Sequence, residues 1–248
     1  MNQQQSNLKA LTQRAACVSA FALAVLLTGC GGTGSSLFTQ PGSGTLTLHA
    51  TGMVHGGQQP ITGATIQLYT VGATGTAASA TPLIVSTITS SDGSGIANSN
   101  ANAGNASNTL PAGAFTITGA YNCSSATQVY IVASGGNPGS GVNAASTEVA
   151  ALGSCANLLA NAATTTINIT EVTTVAAAYA LAPFATDITH VGSSSATAMI
   201  NAMANAQNLA NNSTGAAGGA TLPAGAVAPS AELNTLADIL AACVNTTG

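Results

Sequence analysis

Acid–base side chains are scarce in this chain, which has three histidines and six carboxylates among its 248 residues. Asp187 and His190 lie three residues apart, just before the serines at 193–195. These are the residue types of a hydrolase triad, which needs a nucleophile, a base and an orienting acid that converge in space. The chain has no G-x-S-x-G nucleophile elbow. The serine run therefore predicts a loop and a helix cap, and no catalytic residue is assigned.

A second pair of histidines, His49 and His55, lies on one predicted strand. Their even spacing places both on one face of the strand, provided that Gly52 makes no bulge. With Asp92 nearby they have the residue types of a metal site. No two-Cys or His-Glu motif accompanies them. Histidines on strands are more often surface or edge residues, so the sequence predicts neither a metal nor a cofactor.

The amino-terminal stretch has the pattern of an export signal. Lys9 and Arg14 precede an apolar run at 15–27 that is too short to remain as a membrane-spanning helix. The run ends in Leu27-Thr28-Gly29-Cys30, which resembles the bacterial lipoprotein signal. That resemblance implies a helical signal peptide at 1–29, cleavage before Cys30 and a lipid on the Cys30 thiol. An ordinary signal peptide with an accidental cysteine is the alternative.

The lipid would hold the chain at the cell envelope, with the outer membrane or the cell surface favoured, and residues 30–43 would form a flexible Gly/Ser linker.

Exported chains meet an oxidising compartment, where cysteines pair. Cys123 and Cys155 flank one predicted unit, and we expect a disulfide between them to stabilise the fold by about 3–4 kcal/mol. Cys243 is left over, either as a free buried thiol or as the partner of a cysteine outside this sequence.

Charge excludes several classes of function. The only two basic residues lie in the signal, so the mature chain has no lysine or arginine. Neutralising phosphates requires such residues, so nucleic acid binding and a P-loop are not expected. A basic patch for anionic lipids is not expected either. The partners that remain are the membrane, through the lipid on Cys30, and an unidentified protein or glycan.

The middle of the chain predicts a β-sandwich. Short segments of apolar and Thr-rich alternation are separated by Gly- and Pro-containing turns. The predicted strands are Thr45–His55, Ala64–Val71, Pro82–Ser90, Phe115–Tyr121, Gln128–Ala133 and Thr165–Ile169. The unbroken apolar run of the fifth predicts a central position in a sheet.

The segment at 52–69, GMVHGGQQPITGATIQLY, resembles the opening of carboxypeptidase regulatory-like domains and of collagen-adhesin B-type repeats. The resemblance implies a transthyretin-like β-sandwich, which we expect at 44–170. It implies no catalytic site in this chain, because the peptidase activity of those proteins belongs to a separate domain. The Lys–Asn cross-link of the adhesin repeats would be impossible here for want of a lysine.

The remainder predicts Ala-rich helices at 171–248. They are a helix at Glu171–Leu181 capped by Thr170, one at 195–211, and a last one capped by Ser230. Before them, a helix broken around Gly153 is predicted at Thr147–Asn161. This half is similar to the N-terminal regions of large, uncharacterised bacterial envelope proteins that often carry NHL-type propellers. That resemblance brings no known active site.

These observations together predict a non-catalytic, lipid-anchored envelope protein that serves as a binding, spacer or assembly module. One alternative is a secreted hydrolase or metal-binding enzyme that uses His190 and Asp187, or His49 and His55. Another is a self-associating structural surface protein, because sparse charge leaves sheet edges poorly guarded.

Overall fold

A computed structural model describes residues 43–85, 88–93, 110–161 and 165–246, which belong to one compact unit. The signal helix, Cys30 and almost all of the linker predicted at 30–43 lie outside the described residues. Among those residues, no helix has both the length and the apolar character needed to cross a membrane.

Strands and helices both contribute to the described fold, and the helices cluster toward its carboxyl end. The strands are β1 (Ser43–Gly56), β2 (Gln59–Pro60), β3 (Thr65–Thr70), β4 (Thr81–Pro82), β5 (Ile88–Thr89), β6 (Ala114–Ser124), β7 (Gln128–Ser134), β8 (Thr147–Ser154), β9 (Thr165–Ile169), β10 (Ala185–Asp187), β11 (His190–Val191), β12 (Ala210–Asn211) and β13 (Ala216–Ala217). The α-helices are α1 (Cys155–Ala160), α2 (Glu171–Leu181), α3 (Ala196–Leu209) and α4 (Ser230–Val244), and a 3₁₀ turn at Ala182–Phe184 follows α2.

The first sheet is built around β1. It pairs antiparallel with β6 and, beyond the end of β6, with β2, and it pairs in parallel with β9. Pairing is continuous through Gly52, so this glycine makes no irregularity in the strand. A Cβ at Gly52 would lie 1.9 Å from the carbonyl oxygen of Ile167 and 2.5 Å from the ring of Phe115. Glycine is required there because backbone and ring approach too closely for a side chain.

The second sheet has the order β4-β3-β7-β8, and β5 also pairs with β3. β7 lies between β3 and β8, and nearly all of it is buried. Its central position was predicted from the unbroken apolar run and is confirmed.

The two sheets share one apolar core. Alternate residues of β1 point into it, beginning with Leu48 and Ala50, and they meet Phe115 and Ile117 of β6. The second sheet contributes Ile66, Leu68 and Ile131. A smaller cluster, on the other face of β7 and β8, packs Tyr130 and Val132 against α2 and α3. The two sheets face each other, and helices pack on the outer face of the second sheet. A β-rich fold with helices toward the carboxyl end is therefore confirmed.

Two predictions of secondary structure are wrong. Thr147–Ser154 forms the strand β8, and only Cys155–Ala160 is helical, because β8 pairs with the free edge of central β7. The break predicted at Gly153 is a register shift in that pairing, with a φ of 84° at the glycine. Pro82–Ser90 is not one strand, since only Thr81–Pro82 and Ile88–Thr89 pair with β3.

The helix starts agree with the sequence in two cases of three. Thr170 caps α2 by accepting a hydrogen bond from the amide of Thr173, and Ser195 caps α3 in the same way through Ala198. Ser230 does not cap α4, because it is the first residue of the helix and Pro229 precedes it with no side-chain bond.

Candidate functional site

The Asp187–His190 pair closes a tight hairpin. Nδ1 of His190 lies 2.8 Å from Oδ2 of Asp187, while Oδ1 accepts hydrogen bonds from the amide and the hydroxyl of Thr189 at 2.8 and 2.6 Å. These bonds, led by those from Thr189, lower the pKa of Asp187 to about 2. The carboxylate therefore remains ionised, and its donors come from the turn between β10 and β11.

The serines that follow this pair form the loop and cap that were predicted. The amide of Ser195 donates to the Ser193 hydroxyl at 3.0 Å, and the Ser195 hydroxyl accepts from Ala198. Two of the three serines thus have a structural role at the start of α3.

His49 and His55 both lie on the outer face of β1, as their even spacing predicts. They are six positions apart along the strand, which separates them by about 20 Å, so they cannot share a ligand. Nδ1 of His49 lies 3.2 Å from the Thr118 hydroxyl, and partial burial lowers the pKa of His55. Within the described ranges, no three His, Cys, Asp or Glu side chains come together in a way that could hold a metal ion.

The predicted disulfide is present. Cys123 of β6 and Cys155 at the start of α1 are bonded, with their Cα atoms 6.4 Å apart and a sequence separation of 32. The bond ties the first sheet to the end of β8. Cys243 is free, and it is exposed rather than buried.

A buried carboxyl, Glu148, was not identified from the sequence. It is completely buried on β8, in register with Ala133, and neither of its carboxyl oxygens has a hydrogen-bond partner among the described residues. Burial, followed by the charge of Glu171, raises the pKa of Glu148 to about 10. The side chain is therefore protonated at neutral pH. Had Thr147–Ser154 been predicted as a strand, alternation would have put Glu148 on the same face as Ala150 and Leu152.

Glu171 is the second buried acid, and it is the first residue of α2. Its carboxylate accepts a hydrogen bond from the amide of Gly57, in the turn between β1 and β2. Burial raises its pKa, the backbone hydrogen bonds oppose that change, and Asp238 adds to it. Glu171 and Asp238 line a cleft of about 400 Å³ together with His55.

The carboxyl end of α4 is held at this same end of the sandwich. Nδ2 of Asn143 donates to the carbonyls of Cys243 and Val244, both at 3.0 Å, and Nδ2 of Asn245 donates to the carbonyl of Gly56 at 3.2 Å. The Asn143 amide thereby satisfies carbonyls at the end of α4, and the Asn245 amide joins that end to β1.

A larger, neutral groove of about 490 Å³ lies between α1, β9 and the segment after α3. Its lining is rich in amides and hydroxyls, with no charged residue: among them are Asn157, Asn161, Thr165, Gln207, Asn211 and Thr221. Such a surface offers donors and acceptors to a neutral polar ligand and has no charge to attract an ion.

Comparison of the chain with protein-family models, with curated proteins and with solved structures finds no match in any of the three.

Proposed function

We propose that this chain is a lipid-anchored envelope protein whose folded unit binds or spaces other molecules and carries out no catalysis. The supporting observation is the disulfide between Cys123 and Cys155. Such bonds persist in oxidising compartments and are rare in the cytosol. An apolar amino-terminal run ending in Leu27-Thr28-Gly29-Cys30 supplies a route to such a compartment and a thiol for the lipid.

The proposal includes a transthyretin-like sandwich of the carboxypeptidase regulatory-like kind. Two facing sheets with one core support it. The segment that carries the resemblance, residues 52–69, spans the end of β1, the turn at Gly57 and Gln58, and the strands β2 and β3. This part of the chain begins both sheets, which is the role that the resemblance implies for it.

A binding role is supported by the neutral groove between α1 and β9. Its amides and hydroxyls are suited to a glycan or to the polar surface of a protein. Lys9 and Arg14 are the only basic residues, so a folded unit without them would attract no phosphate groups.

The anchor is tested by growing cells with a clickable fatty acid and isolating this protein. We expect labelled wild-type protein and loss of the label in Cys30→Ala. Cys243→Ala is the matched control, because Cys243 is the exposed free thiol that adventitious acylation would modify. Undiminished labelling of Cys30→Ala, or labelling that depends on Cys243, would refute the proposal.

A further inference from the structure

A second cleft, of about 350 Å³, lies between α2 and the β10–β11 hairpin, above β7 and β8. Its volume is within the range of small-molecule sites. Most of its wall is aliphatic: Val149, Ala177, Ala178, Leu181, Ile188 and Val191. We refer to it below as the hairpin cleft.

Small side chains on α2 keep the hairpin cleft open. The helix presents Ala177 and Ala178, and the turn after it presents Ala182, where longer side chains would fill the space. Tyr130 fixes the opposite wall, since its hydroxyl donates to the carbonyl of Ile188 at 2.6 Å. Its ring also stacks on Tyr69, with centroids 5.4 Å apart. The cavity is thus formed before any ligand arrives.

Besides Tyr130, the polar side chains that line this otherwise apolar cavity are Thr147, Thr174, Thr186 and Asp187. The hydroxyls of Thr147 and Thr186 make no side-chain hydrogen bond within the described ranges, and Asp187 is the only charged residue in the wall. Oδ1 of Asp187 is occupied by Thr189, whereas Oδ2 has only His190 at 2.8 Å. A carboxylate oxygen has two acceptor sites, so Oδ2 keeps one for a ligand.

We propose that the hairpin cleft binds a small molecule with an apolar body and a protonated amine. The body would lie against Leu181, Ile188 and Val191, and the ammonium would donate to Oδ2 of Asp187. Charge complementarity favours a cation over an anion here, because no lysine or arginine exists in the described residues to neutralise this carboxylate. The inference concerns a site of its own and does not depend on the lipid anchor.

The test uses three probes that share one apolar chain and differ at the end: hexylamine, hexanol and hexanoate. The full chain, with its disulfide intact, is labelled at its methyl groups and titrated with each probe at pH 8, where an alkylamine is still protonated. We expect hexylamine to shift the Leu181, Ile188 and Val191 methyl resonances saturably, at least tenfold more tightly than hexanoate.

Two variants separate the apolar and ionic parts of the proposal. Ala178 is exposed at the cleft wall, so Ala178→Phe should fill the cavity and abolish binding of all three probes, while Ala242→Phe, at an exposed site on α4, should not. Asp187→Asn keeps an oxygen for Thr189 and should remove the preference for hexylamine over hexanol.

Absence of saturable shifts for every probe, or shifts that Ala178→Phe leaves unchanged, would overturn the site. Equal affinity for hexylamine and hexanoate would overturn the choice of a cation. Fatty-acid labelling at Cys30 is independent of all these results, so failure here and failure of the envelope proposal are distinguishable.

Discussion

Replacing Glu148 with glutamine should stabilise this protein at neutral and alkaline pH. The side chain is fully buried, it has no hydrogen-bond partner in the part of the chain that the structure describes, and its pKa rises from 4.5 to about 10 on folding. Between these two values the folded state binds a proton that the unfolded state has released. The contribution of the protonated Glu148 to the free energy of unfolding is therefore fully present below about pH 4.5 and is lost as the pH rises toward 10. Glutamine has nearly the same shape and no proton to lose.

The magnitude follows from the width of this pH window. Each pH unit between the two pKa values changes the folding constant about tenfold. Ionisation of Glu148 should therefore lower the free energy of unfolding of the wild type by about 3 kcal/mol as the pH rises from 6.5 to 9. At pH 7.5 the substitution should recover up to about 4 kcal/mol. Glu171 changes stability in the same direction, because its pKa is also raised.

The titrations of His55 and Asp187 fall outside the range of pH 6.5–9. The pKa of His55 is lowered by folding, so its contribution is lost as the pH falls through 6.5 and below. Asp187 loses its contribution only below its unfolded pKa of 3.8. Between pH 6.5 and 9 the buried glutamates should therefore dominate the slope.

Urea denaturation, followed by circular dichroism across this range, measures the effect. The Cys243→Ala background prevents the free thiol from attacking the disulfide at high pH. Wild type should become less stable as the pH rises, Glu148→Gln should lose most of that slope, and Glu232→Gln, at an exposed acid on α4, should retain it. A flat wild-type profile, or equal slopes for Glu148→Gln and Glu232→Gln, would refute the reasoning.

Three further predictions use the same denaturation assay. Gly52→Ala should destabilise by about 3 kcal/mol or more, because the new Cβ meets the β9 backbone, and a smaller loss would contradict that close approach. Replacing Cys123 and Cys155 together by alanine should cost about 2–5 kcal/mol, and a thiol titration should then find no protected pair. Tyr130→Phe should cost about 1–2 kcal/mol by leaving the Ile188 carbonyl unpaired, and unchanged amide exchange in the hairpin would argue against that bond.

Sequence patterns were informative where one face of a strand is buried. In β1 and β3 the apolar residues alternate with polar ones, and both strands form where they were predicted. Pairing of Cys123 with Cys155 was also predictable, because few cysteines remained once the signal was set aside and these two flank one predicted unit. In these cases the alternation of residues along a strand, or the small number of cysteines, is enough to predict the structure.

The sequence was misleading where pairing partners decide the structure. Thr147–Ser154 is Ala-rich and suits a helix, yet the open edge of β7 recruits it as β8. That error hid Glu148, whose burial exists only because the strand turns alternate residues toward the core. The last helix, α4, leaves the apolar residues Leu236 and Ile239 exposed, because it buries Leu233, Ala237 and Val244 instead.

The lack of basic residues explains how this fold treats its carboxylates. With no ammonium or guanidinium available in the described residues, each inner or structured acid finds another solution. Glu148 is protonated, Glu171 takes amide donors at the start of α2, and Asp187 takes donors from its own hairpin. Asp187 combines a retained charge with an open cavity, because its pKa is lowered rather than raised. A cation supplied from outside would therefore find in the hairpin cleft a carboxylate oxygen, Oδ2 of Asp187, that keeps one acceptor site beside His190.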